Sequence, residues 1–176
     1  MRRRQASQGA RRAREFEAFV AGAAGRLLHA ATLLTAEAPD DNPRARRLLT
    51  RSLGHTYACW DRLRGEDPYD RARQYLAARF ARAAWHQYGA FGRARPHPAS
   101  PLAVLTPQER LIVVLRLYEG VAEEQAAALL GLPTERVHTI CDRATATLLH
   151  PPRARATPVV GAEVAPSRGA TDASRS

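Results

Sequence analysis

Lysine is missing from this sequence: all 27 basic residues are arginine, set against 17 acids for a formal charge of +10. Cysteine is almost missing. Cys59 and Cys141 are far apart and neither belongs to a C-x-x-C pair, which excludes a disulfide framework or a paired-cysteine zinc motif and leaves two buried free thiols as the expectation. Aromatic residues make up only 6% of a chain rich in alanine, which favours helices packed through small side chains. No uninterrupted apolar run reaches the roughly 18 residues that span a bilayer. The arginine-rich start passes into Ala, Ser, Gln and Glu instead of a signal-peptide core, so the expectation is a cytoplasmic chain without membrane contact.

Constellations for catalysis are equally scarce. His29, His55, His86, His97, His138 and His150 show no i, i+4 spacing among themselves, and no metal site is expected. Glu66, Asp67 and Asp70 lack the alternating ligands and glycine of a calcium loop, and a solvated turn accounts for them. There is no Walker loop, and spacing suggests no Ser, His and Asp grouping. The chain reads as a non-enzyme that needs no cofactor.

What is present is helical periodicity. Phe16, Phe19, Val20, Ala23, Leu27, Leu28, Ala31 and Leu34 form one stripe at a spacing near 3.6. Pro39 to Pro43 breaks it. A second stripe joins Ala45, Leu48, Leu49, Leu53, Tyr57, Trp60 and Leu63, and a third joins Ala72, Tyr75, Leu76, Phe80 and Ala83. Residues 89–104 lose the period to Gly, Pro, Ala, Arg, His and Ser and read as a flexible linker. Helical spacing resumes in 105–150, and 151–176 read as a disordered tail. The fold class predicted is all-α: a three-helix domain at 15–88 and a second at 105–150, preceded by a basic disordered arm at 1–14.

Charge follows this division. Residues 1–14 carry +6, 15–104 carry +4, 105–150 carry −2 and the tail +2. Such an excess suits a polyanionic partner, while a solvated arm explains the N-terminal run as well.

The segment Glu123 to Thr147 holds the most specific pattern. A short helix ends at Leu130, Gly131 can take the positive φ of a helix end, and Pro133 stands where a new helix can begin. Helix, tight turn, helix is the arrangement whose second helix enters the major groove, although helical hairpins packed for stability look similar. Leu105-Thr106-Pro107-Gln108-Glu109-Arg110, Leu115 to Gly120, Ala126 to Gly131 and Val137 follow one another at the spacing of sigma region 4. Phe16 to Val20, Arg26-Leu27-Leu28, Leu33-Leu34-Thr35, Tyr57, Trp60 to Arg64 and Arg79 to Trp85 resemble sigma region 2. On these motifs the chain resembles a small sigma factor of the extracytoplasmic-function type.

The resemblance implies a transcription protein that docks on RNA polymerase core and directs it to promoter DNA, with an anti-sigma factor as a further partner. Leu48, Leu49 and Leu53 would then meet the core. Arg79, Arg82, Trp85 and His86 would touch the −10 element, and Thr134, Arg136, His138, Thr139 and Arg143 the −35 element. The sequence also departs from the family pattern. Arg46, Arg47 and Arg51 flank the apolar pair where an acidic stretch is usual, the one asparagine, Asn42, lies in a turn, and His138-Thr139-Ile140 follow Val137 where a basic run is common. Those departures favour an alternative: a divergent regulator or interaction module that does not load polymerase.

Overall fold

A computed structural model of the chain describes residues 2–63, 65–85 and 95–151, with side chains from Ser7 onward. Within them every regular element is a helix. The first cluster comprises α1 (Arg2–Thr35), α2 (Pro43–Cys59), a 3₁₀ turn at Trp60–Arg62 and α3 (Pro68–Trp85). The second comprises α4 (Pro107–Val113), which runs into a π turn at Val114–Tyr118, then α5 (Glu123–Leu130) and α6 (Thr134–Leu149). The all-α class and two helical clusters agree with the sequence reading, and residues 86–94 separating them lie outside the described residues.

α1 is longer than its apolar stripe. Residues 2–14, expected as an arm, form its first turns instead. Their composition explains this: Arg, Gln and Ala are good helix formers, only Gly9 interrupts them, and Arg11 pairs with Glu15 at 3.2 Å one turn on. Arg12 anchors the segment, its guanidinium 4.3 Å from the Tyr57 ring centre and 2.9 Å from Asp61. Ser7–Thr35 is long and apolar enough, by length and composition, to cross a membrane. Its Ala23, Leu27, Ala30, Ala31 and Leu34, however, are buried against the other helices.

The α1–α2 connection is held by a carboxylate. Asn42 provides no side-chain cap for α2. Glu37 instead accepts from the Arg44 and Ala45 amides at 3.0 and 2.8 Å, from Arg44 Nε at 3.0 Å and from the Thr35 hydroxyl at 2.9 Å. Burial alone would raise its pKa, but these donors together hold it below the ordinary value of 4.5.

Part of the predicted linker is also seated. In 95–104, the His97 amide donates to Ala36 O at 2.7 Å, and Leu102 is buried with Leu34 in the main core. The apolar Leu102 near the end of this stretch gives it a reason to pack. α4 then lies against α1 and α3, so the two clusters share one apolar core containing Leu34, Phe80, Leu105 and Ile112. Buried Arg110 ties them further, donating to Leu34 O at 3.0 Å and Leu105 O at 3.1 Å. Burial, with Arg44 nearby, pulls its pKa down to about 10. The expected tail begins at the edge of the described residues, which stop at 151.

Candidate nucleic-acid interface

The turn between α5 and α6 has a definite cause. α5 ends with Gly131 in the left-handed region at φ 65°, and the Leu132 amide reaches back to Ala127 O at 3.0 Å. Pro133, extended at φ −61° and ψ 143°, precedes Thr134, the first residue of α6. Val137, Ile140, Cys141 and Ala144 then seat α6 on α4 and α5. Cys141 is a buried free thiol, as is Cys59, and burial raises the Cys141 pKa.

α4 begins with a capping box, in which Thr106 Oγ1 accepts from the Glu109 amide and the Glu109 carboxylate accepts from the Thr106 amide at 2.9 Å. The same carboxylate holds Arg143 of α6, with Nη2 at 2.8 Å and Nε at 3.0 Å. Burial would raise the Glu109 pKa, but Thr106 and Arg143 keep it low. One side chain therefore caps α4 and fixes the height of α6. The S/T-x-x-E spacing of Thr106 and Glu109 was visible in the sequence, but its link to Arg143 depends on tertiary packing.

The outward face of α6 presents Glu135, Arg136, His138, Thr139, Asp142 and Arg143. Gln108, Pro133, Glu135, Arg136, Thr139, Ile140 and Arg143 line a groove of about 430 Å³. The expected contact residues thus share one surface, with Thr134 half-buried at its start, but they are not equally available. The Arg136 side chain is exposed and makes no hydrogen bond or ion pair among the described residues. The Thr139 hydroxyl donates to Glu135 O at 2.8 Å, leaving its lone pairs to accept from a base amino group. Arg143 keeps free N–H groups beside Glu109. His138 lies 3.2 Å from both Glu123 and Asp142 and is engaged by its own surface.

Residues 102–149 match the family model Sigma-70, region 4. The matched segment contains the capping box, the helix-turn-helix and the groove. It is a region-4-like, non-catalytic DNA-binding module, which accords with the reading of the chain as a non-enzyme. No curated protein and no solved structure matches the chain.

The expected region-2 contacts lie outside this module. Arg79, Arg82 and Trp85 are exposed on α3, whereas His86 lies outside the described residues. Leu48 is only 2% exposed, and Leu49 and Leu53 pack against the Ala23, Leu27 and Ala72 cluster. Leu48 is committed to the chain's own core, while Leu49 and Leu53 are half-buried at its edge. The outer face of α2 carries Arg46, Arg47, Thr50, Arg51 and Gly54. Sequence reasoning missed the 4.0 Å contact between Cys59 and His55, one turn apart, although their i, i+4 spacing was there to be read. Among the described residues no group of three His, Cys, Asp or Glu side chains could hold a metal.

Proposed function

We propose that the chain is a divergent sigma-like transcriptional regulator that binds duplex DNA by placing α6 in the major groove. The observation carrying this reading is the exposed α6 face in a region-4-like module, with an unpaired Arg136 beside Thr139 and Gln108. Arg136 is suited to a guanine edge or a phosphate, and Thr139 to an amino group. Glu109 pairs with Arg143 and Glu123 with Arg116, which leaves Arg136 as the unpaired arginine of the α6 face.

Loading of RNA polymerase core is the narrower reading. Of its apolar contacts Leu48 is buried and Leu49 and Leu53 are half-buried, and the arginines around them would repel a basic docking partner. The regulator reading places the protein in the cytoplasm with promoter DNA as its partner and requires neither polymerase nor an anti-sigma factor.

Salt-dependent anisotropy with labelled duplex DNA tests this function. Arg136→Ala is expected to weaken binding and reduce the slope of log K against log salt by about 0.9, one phosphate equivalent, if Arg136 meets the backbone. If it reads a base, discrimination at one position should fall by about 1–3 kcal/mol with the slope retained. A variant with unchanged affinity, slope and sequence preference would remove α6 from the interface.

A further inference from the structure

The seam between α2 and α3 carries positive charge that no described acid answers. The helices run antiparallel: Leu49 and Leu53 share a cluster with Tyr69 and Ala72, while Ala45 and Leu48 share one with Leu76 and Phe80. On the outer side of the seam the rings of His55 and Tyr75 stack with centres 4.1 Å apart. From that stack Arg51 and Arg47 lie one and two turns back along α2, while Arg79 and Arg82 lie one and two turns forward along α3. Because the helices are antiparallel, both rows extend in the same direction from the stack.

All four arginines are exposed. None of their side chains has a hydrogen bond, ion pair or ring partner among the described residues. Of the acids just before α2, Glu37 is paired with Arg44, and Asp40 and Asp41, exposed in the turn, form no ion pair with any of the four. Like charges one turn apart repel each other, so a four-arginine patch without counter-charge is a surface that a polyanion would relieve.

We propose that Arg47, Arg51, Arg79 and Arg82 form a second phosphate-binding face that grips the backbone of duplex DNA. The choice of DNA as the polyanion rests on the function proposed above; the patch geometry does not. His55 and Tyr75 have their adjoining faces occupied by each other, and the charged rows on either side suit a phosphate backbone better than splayed bases. This face also adds cationic contacts to those of the 105–150 segment, whose formal charge is −2.

The test uses the full chain on a mixed-sequence duplex, measuring binding across about 50–300 mM salt. Replacing all four arginines with glutamine should reduce the salt slope by about 3.6, and replacing either the α2 pair or the α3 pair by about 1.8. Circular dichroism and thermal melting check folding, and the two pair variants carry the test if the fourfold variant does not fold. An unchanged slope overturns the proposal, as does a loss confined to the α3 pair or the absence of wild-type DNA binding. Binding to polyglutamate as tight as to DNA would assign the patch to an acidic protein and also overturn it. A reduced slope in the patch variants with no effect of Arg136→Ala would preserve this face and reject the α6 reading.

Discussion

At the scale of the residue, Gly131 does the most to aim α6. Its φ of 65° lies where a side chain clashes with its own backbone, although a Cβ there would meet nothing within 4 Å. Gly131→Ala should therefore cost about 1 kcal/mol through conformation alone, measured by urea unfolding, and leave DNA affinity nearly intact once the chain is folded. A much larger loss would contradict the open space around Gly131. Gly131 and Pro133 were legible because they act through local φ preferences. The Glu109 grip on Arg143 was not, because 34 residues separate partners that meet only when α4 and α6 pack.

At the scale of the element, the start of α2 depends on Glu37. Its folded pKa is lowered, so its contribution is fully present above the unfolded value near 4.5 and is lost as pH falls through the lower folded value. Wild type should lose stability on acidification from about pH 5 to pH 3 more steeply than Glu37→Gln, which should already be weaker at neutral pH by about 1–3 kcal/mol. Parallel stability profiles for the two proteins would contradict this role. The helices were readable because each has an apolar stripe. Residues 2–14 were misread because high charge without apolar period resembles a disordered arm, while Arg12 finds Tyr57 and Asp61 only in three dimensions. The π turn at Val114–Tyr118 was also hidden, since its apolar residues fit an ordinary helix equally well.

At the scale of the whole molecule, a buried polar junction joins the clusters. The Glu119 side chain is 1% exposed, accepts from the Tyr69 hydroxyl at 2.9 and 3.0 Å and pairs with Arg26 at 3.3 Å. Burial and this carboxylate push the Tyr69 phenol upward, keeping it a donor. Tyr69→Phe should destabilise the chain by about 1–3 kcal/mol by leaving Glu119 short of a donor. Calorimetry should show one transition if the shared core couples both clusters; two separated transitions in wild type would contradict that coupling. The shared core was beyond the sequence reading, which assigned each apolar stripe to its own domain and treated 95–104 as a spacer.

The central claim, that α6 reads duplex DNA, is tested most directly by selecting bound duplexes from a randomised pool with the full chain and with Arg136→Ala. The expected result is enrichment of a motif by the wild type and altered preference at one position, or uniformly weaker enrichment, by the variant. No enrichment by the wild type, or the same motif recovered with equal strength by both proteins, would contradict the account.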